Sequence, residues 1–450
     1  MNILALIQCT SPTLSKTNLR RLSRIIVALL AMTGRVTLLG VSRWAGPGGS
    51  YRTVQRFFAE KIAWAQVYWQ FFVEHLYQAE RDYILAGDES VVTKAGKHTY
   101  GLDRFFSGLL GKPVPSIALF ALSLIDVSER HSYPVRVAQV VRSEAEKAAA
   151  RVRTKQRKAK KKTKTKGKPG RPTGSQNRDK TRVELTPELV RIQTMVKKQL
   201  AIFQGVLSIT YLALDGHFGN NQALQMVRQC GLHLISKLRY DAALYFPYAG
   251  PYGGRGPHKK YGDKIAYRNL PDKYLVHTSV EDEIETRIYQ AQLLHREFAQ
   301  PLNVVIIAKT NSKTGAFANV NLFSSDLELA YDKILDYYSL RFQLEFNFRD
   351  AKQHWGLEDF MNVKEVPLTN ALNLSLFMVN LSQALLREFR QTNPESGILD
   401  LKAYFRAAKY FEETIKMLPE KPEPILLQQI FGNIASLGSI HHVKVPCFSP

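Results

Sequence analysis

The chain has 450 residues, 45% of them hydrophobic, and a formal net charge of +23, with a pI of 9.8. This length implies roughly two to four domains, and the apolar content excludes a mostly disordered chain. The charge excess calls for a polyanion, with nucleic acid ahead of an anionic membrane. Cys9, Cys230 and Cys447 lie far apart, which disfavours a disulfide framework or zinc module and fits a reducing compartment. Apolar runs at 3–7 and 25–32 fall short of the roughly 20 residues a membrane helix needs. Segment 371–386 contains Asn373, Ser375, Asn380, Ser382 and Gln383 and predicts a buried helix. A cytoplasmic protein with no membrane partner is expected.

Residues 1–78 predict helices. Leu19, Leu22, Ile25, Ile26 and Leu29 recur at helical spacing. After the turn Gly46-Pro47-Gly48-Gly49, Ser50 is placed to cap a short helix with Val54, Phe57 and Phe58 on one side and Arg52, Gln55 and Arg56 on another. Two short helices around a turn, the second basic, suggest a helix-turn-helix that binds DNA; the plain alternative is a helical bundle. Trp64, Trp69, Phe72 and Leu76 predict core.

Strands follow at 83–92, 117–127 and 133–141. The charge is then concentrated: 147–182 holds 16 Lys and Arg against one acid, Asp179. This run has almost no apolar residues, so it predicts a flexible loop. Beyond it come a helix at 184–204, a strand at 206–215, a helix at 222–229 and a strand at 232–238. This order predicts a mixed α/β sheet. Residues 239–310 predict a β-rich insertion, with strands at 274–280, 285–294 and 303–309 and a turn at Glu281-Asp282-Glu283. Ser325-Asp326-Leu327-Glu328 predicts a capping box opening a long helix. The remainder predicts helices, with a Pro-rich break at 418–424.

Phosphodiester chemistry with two Mg²⁺ ions needs several carboxylates converging from rigid elements. Asp88 lies inside the first strand and Asp215 ends a later one. On neighbouring strands their backbones would lie about 4.8 Å apart, and a divalent cation would relieve their repulsion. An Asp ending a strand is as readily a turn former. Glu345 carries a sharper pattern. Tyr338, Arg341, Glu345 and Lys352 fall within roughly 60° of one another on a helical wheel. Leu340, Leu344 and Phe348 flank this stripe on one side, Phe342 and Phe346 on the other, and Gln343, Asn347 and Asp350 oppose it. Burying such charges is costly unless they meet a metal or phosphates. The plain alternative is an exposed Arg341–Glu345 ladder.

Tyr338-x2-Arg341-x3-Glu345-x6-Lys352 resembles the Y-(2)-R-(3)-E-(6)-K signature of bacterial insertion-sequence transposases of the DDE type. The run 340–353, Asp88-Glu89-Ser90 with Gly96-Lys97-His98 and Phe106-Ser107-Gly108, and 214–220 are similar to that family too. The likeness spans about residues 80–390. It implies an α/β fold: an RNase H-like mixed sheet with a β-rich insertion, plus helical N-terminal and C-terminal regions. The domains expected are a DNA-binding region at 1–78, a catalytic domain at 79–390 interrupted by 147–182 and 239–310, and a C-terminal region at 391–450 that is a candidate for dimerisation.

The resemblance implies that Asp88, Asp215 and Glu345 bind two Mg²⁺ ions, with Mn²⁺ as a substitute. Arg341 and Lys352 would hold phosphates, and Tyr338 would donate to a phosphate oxygen, with packing as its plain alternative. The expected activity is cut-and-paste transposition: cleavage at element ends, then attack of the freed 3′-OH on target DNA, by a homodimer on double-stranded DNA. His217 could orient a phosphate, with a loop histidine of no catalytic role as the plainer reading. Arg171 lies in a segment similar to a Gly-Arg-Pro minor-groove hook, with nonspecific phosphate contact as the plain alternative. Family members often carry Asp-Asp-Thr where this chain has Asp88-Glu89-Ser90; alternation points Glu89 away from Asp88. Members that form DNA hairpins usually stack a base on an aromatic residue of the insertion, often Trp. The four Trp here lie outside 239–310, leaving Phe246, Tyr248 or Tyr252 for that role. The competing classes are an inactive DNA-binding or architectural relative and a structure-specific nuclease.

Overall fold

The computed structural model describes residues 2–441 apart from 109, 163–178, 253, 255 and 421. It opens with five helices: α1 (Ile3–Leu6), α2 (Lys16–Ala31), α3 (Leu38–Trp44), α4 (Tyr51–Ala59) and α5 (Trp64–His75). Ser15, Thr37 and Ser50 cap α2, α3 and α4, each side-chain oxygen accepting from the backbone N–H three residues on. Helix α4 buries Val54, Phe57 and Phe58 and exposes Arg52, Gln55 and Arg56, as the spacing predicts. Trp64, Trp69, Phe72 and Leu76 are core.

Among the described residues, twelve strands form one sheet. They are β1 (Tyr83–Thr93), β2 (Asp103–Ser107), β3 (Lys112–Asp126), β4 (His131–Val140), β5 (Tyr211–Ala213), β6 (His233–Leu238), β7 (Leu244–Pro247), β8 (Tyr261–Lys264), β9 (Leu275–Glu281), β10 (Ile284–His295), β11 (Leu302–Asn311) and β12 (Phe317–Ser324). The first three long strands run antiparallel, with β3 between β1 and β4. Strand β5 then joins β1 in parallel and β6 joins β5 in parallel. Helices α6 (Glu144–Lys162) and α7 (Pro187–Phe203) lie between β4 and β5 in the chain, and α8 (Asn221–Arg228) links β5 to β6. This is an RNase H-like mixed sheet.

The pleat sorts the side chains of β1. Leu85 belongs to the main core, whereas Ile84 and Ala86 join a second apolar layer with Ala213, Ile235, Leu340 and Leu344. That layer packs on α9 (Tyr331–Leu340) and α10 (Gln343–His354). Leu340 and Leu344 are 0% exposed, and burying each contributes about 2 kcal/mol.

Three further helices follow among the described residues: α11 (Glu365–Phe389), α12 (Ile398–Ile415) and α13 (Pro424–Ser436). As predicted, α11 buries Asn373, Ser375, Asn380 and Ser382. It also holds the amino-terminal helices. Trp64 Nε1 donates to Asn370 Oδ1 at 2.8 Å and Tyr68 Oη to the Asn373 carbonyl at 2.6 Å. No helix among the described residues is long and apolar enough to cross a membrane.

Several expectations change. The basic run is helical through Lys162, not a loop, because Ser143 and Glu146 form a reciprocal capping box ahead of an Ala-rich turn. Residues 163–178, Arg171 among them, lie outside the described residues. The strand expected at 206–215 is confined to Tyr211–Ala213; the preceding residues form a turn in which Val206 and Leu207 donate to the Phe203 carbonyl. The strand-rich segment runs on to Ser324 and continues the main sheet. Its last strand, β12, is hidden in the sequence by Asn319 and Asn321. Asn321 is 0% exposed yet satisfied, donating to the carbonyls of Arg239 and Tyr240. Ser325 to Glu328 do not open a helix: Ser325 Oγ accepts from Leu234 N and Asp326 accepts from Tyr211 Oη. Helix α9 starts only at Tyr331.

Candidate active site

Strands β1 and β5 pair in register Leu85 to Leu212 and Ala86 to Ala213. Two residues further on, the same register carries Asp88 to Asp215. Both share the parity of the layer facing α9 and α10, so both carboxylates belong to the side that carries Arg341 and Glu345. Glu89 has the opposite parity and lines a cleft on the α7 side, as alternation predicts.

Two glycines admit close neighbours here, a side chain at one and backbone at the other. A Cβ on Gly87 would meet the Phe120 ring at 2.7 Å, and one on Gly219 would meet the Lys237 carbonyl oxygen at 2.1 Å. Asp215 caps a short turn: its Oδ1 accepts from His217 N at 3.1 Å, while its carbonyl accepts from Ser236 Oγ at 2.7 Å.

The four signature residues do not share one helix. Helix α9 ends at Leu340 and α10 begins at Gln343. Phe342 N donates to Ser339 O, Leu344 N to Arg341 O and Glu345 N to Phe342 O, a tightened 3₁₀-like junction. Arg341 and Phe342 keep right-handed helical dihedrals, so the stripe survives the break. Its borders differ from expectation. Phe342 and Phe346 are 48% and 36% exposed and pack edge-on against each other. Asn347 and Asp350 are buried, and Asn347 Nδ2 donates to Ser132 Oγ at 2.8 Å. The face opposite the stripe is therefore docked on the sheet, and the stripe lies at its edge.

Arg341 Nη1 donates to Asp88 Oδ2 at 2.6 Å, and Nη2 lies 3.9 Å from Glu345 Oε1. Burial raises the Asp88 pKa, Arg341 opposes this, and the charges of Asp215 and Glu345 push it further up. Asp88, Asp215 and Glu345 thus share one electrostatic neighbourhood with a guanidinium between two of them. Among the described residues no three His, Cys, Asp or Glu side chains are gathered closely enough to hold a metal ion; here Arg341 takes up one Asp88 oxygen. The three acids offer carboxylate oxygens and no thiolate, the donor chemistry that Mg²⁺ and Mn²⁺ select.

Lys352 Nζ lies 3.4 Å from both the Val91 carbonyl and Glu358 Oε1, beside the end of β1. Tyr338 is half-buried with its ring 5.8 Å from the Arg341 guanidinium carbon. Arg52, Gln55 and Arg56 sit on the separate α4 surface. Of the aromatic candidates in the insertion, Phe246 stacks on Tyr274 at 4.9 Å, Tyr252 stacks on His258 at 4.0 Å, and Lys259 lies over Tyr248. Sequence reasoning passed over Glu188, whose Oε2 lies 3.3 Å from His217 Nε2; nothing in the spacing of 188 and 217 signals that pairing.

The family model for DDE superfamily endonucleases matches residues 9–301. The chain belongs to that family. The match contains Asp88, inside β1, and Asp215, just past the end of β5, and stops before Glu345. No curated protein matches the chain. Membership makes this DDE endonuclease a DNA-acting enzyme of the nuclease and transposase class. Such enzymes use divalent metal ions, in keeping with its three carboxylates.

Proposed function

We propose that this DDE endonuclease is a bacterial insertion-sequence transposase acting by cut-and-paste. The observation that supports the reading is the β1–β5 register, whose continuation sets Asp88, inside β1, beside Asp215, just past β5, with Arg341 of the α9–α10 junction bonded to Asp88 and Glu345 in the first turn of α10. Asp88, Asp215 and Glu345 would hold two Mg²⁺ ions, which would supply a lowered pKa for the attacking oxygen and charge stabilisation for the leaving one.

The chain's own residues do the positioning. Arg341 offers a planar fork that exchanges Asp88 for a phosphate, and Lys352 offers a point charge beside β1. Tyr338 donates its hydroxyl proton to a phosphate oxygen. The freed 3′-OH of the element then attacks target DNA in line, with no covalent protein intermediate. Arg52, Gln55 and Arg56 on α4 read the terminal repeats, and the basic run with Arg171 tracks backbone phosphates. The enzyme works in the cytoplasm as a homodimer on DNA, with 391–450 as a candidate dimer surface.

The test is incubation with the DNA flanking its own coding sequence, with Mg²⁺ or Mn²⁺, followed by mapping of cut ends. Wild type cuts at the element termini; Asp88→Ala, Asp215→Ala and Glu345→Ala do not. Cleavage retained by any one variant removes that residue from the metal site. Absence of end-specific cleavage by wild type overturns the reading.

A further inference from the structure

The turn after Asp215 and the start of α8 are tied to α7 and the segment leading into it by three side chains. His217 Nε2 lies 3.3 Å from Glu188 Oε2. Asn221 Nδ2 donates to the Lys180 carbonyl at 2.8 Å, and Gln222 Nε2 to the Glu184 carbonyl at 2.9 Å. Glu188 stands in the first turn of α7, behind the Thr186 cap, where a carboxylate is favoured by the helix dipole. The helix itself is fixed by the buried side chains of Leu189, Ile192, Val196 and Phe203. The helix backbone at one end is therefore fixed, while the paired side chains are 65% (His217) and 41% (Glu188) exposed.

The other end is the site. His217 uses its backbone N–H to hold Asp215 Oδ1 and its carbonyl to accept from Asn220 Nδ2, so its ring and the Asp215 carboxylate are two ends of one turn. Arg142, Arg191 and Glu89 face the same cleft of about 960 Å³ as Glu188 and His217. Arg191 is engaged by Glu146 at 2.7 Å and Arg142 lies over the Phe105 ring.

We propose that Glu188 and His217 are positioning residues: their pairing fixes the turn that aims the Asp215 carboxylate at the metal ions. This rests on the proposed function, in which Asp215 is a ligand. Outer partners of this kind govern ligand orientation, and their loss costs 10- to 100-fold in metal affinity or activity.

The experiment compares Glu188→Ala, His217→Ala, the double variant, His217→Asn, His217→Gln and Asp215→Asn in the full-length protein. The His217→Asn side chain is too short to reach Glu188, whereas His217→Gln keeps a donor within reach. Mn²⁺ affinity is measured without DNA by electron paramagnetic resonance, kcat and KM by end cleavage, and amide exchange is followed at His217, Phe218 and Gly219. The alanine variants and His217→Asn are expected to bind Mn²⁺ at least tenfold more weakly and to lose 10- to 100-fold in kcat. KM for DNA stays within twofold, the double variant is no worse than the poorer single, and His217→Gln recovers most of the loss. Wild-type Mn²⁺ affinity in these variants, or losses that multiply in the double variant, overturns the proposal. If an alanine variant does not fold, His217→Asn against His217→Gln decides the matter. If wild type neither cleaves nor loses Mn²⁺ binding on Asp215→Asn, the proposed function fails instead. Amide exchange then tests the clamp alone: unchanged rates at His217 to Gly219 in His217→Asn sink it.

Discussion

Arg341 donates to Asp88 at 2.6 Å across 253 residues of chain, with only 14% and 21% of the two side chains exposed. Removing one partner of so sheltered a pair leaves an uncompensated charge. Arg341→Met is expected to lose about 3 kcal/mol in urea unfolding without divalent metal. Asp88→Asn/Arg341→Met should recover much of that, and Mg²⁺ should stabilise Arg341→Met more than wild type. Additive losses in the double variant would show that the pair contributes nothing as a pair.

Gly219 and Gly216 offer a matched comparison. A Cβ at Gly219 meets the Lys237 carbonyl oxygen at 2.1 Å, while at Gly216 the nearest atom is 3.6 Å away. Gly219→Ala must push the Asp215 turn off β6. It is expected to cost about 1–3 kcal/mol and most metal-dependent cleavage; Gly216→Ala should leave both near wild type. Thermal melting and a cleavage assay decide.

Lys402 is 8% exposed, donates to the carbonyls of Leu29 and His354, and sits over the Trp355 ring. It thereby ties the ends of α2 and α10 to α12. Burial, with Arg406 adding to it, pulls its pKa down to about 8. The unfolded lysine keeps its proton to about pH 10.4. Below about pH 8 both states are protonated and the full cost of burying the charge stands. Between pH 8 and 10.4 the unfolded chain binds more protons, so stability from this group rises with pH. Relative to Lys402→Met, wild type should gain about 3 kcal/mol between pH 7.5 and 10.5 in urea unfolding. A constant difference across that range would remove Lys402 as its source.

Residues 155–168 hold nine lysines and arginines. Each phosphate contact adds about 0.9 to the slope of log affinity against log salt. Deleting this segment should flatten the slope by several units while leaving melting of the folded protein unchanged. An unaltered slope would mean that the basic run does not touch DNA.

Much of the architecture is written in local pattern. The apolar period of α2, the capping serines at 15 and 50, the unbroken apolar run of β3 and the turn at Asp282 and Glu283, both with positive φ, declare their elements without tertiary help. Misread elements were those whose polar groups find partners far away. The asparagines of β12 look like loop residues until Arg239 and Tyr240 supply their carbonyls. The acids and hydroxyls of 325–328 look like a helix cap until Leu234 and Tyr211 claim them. The basic run looked disordered because charge outweighed the Ala-rich capping box that starts α6.

The sequence by itself determined which residue types could do metal-dependent chemistry on DNA and placed Asp88 on its strand and Glu345 on its helix, because strand and helix periods are local properties. Only the tertiary structure decided what stands beside what. The parallel pairing of β1 with β5 led Asp88 to Asp215, the docking of Asn347 and Asp350 turned Arg341 onto Asp88, and the packing of α7 on the sheet brought Glu188 to His217. These meetings join segments up to 253 residues apart. They follow from burial of whole faces rather than from any spacing along the chain.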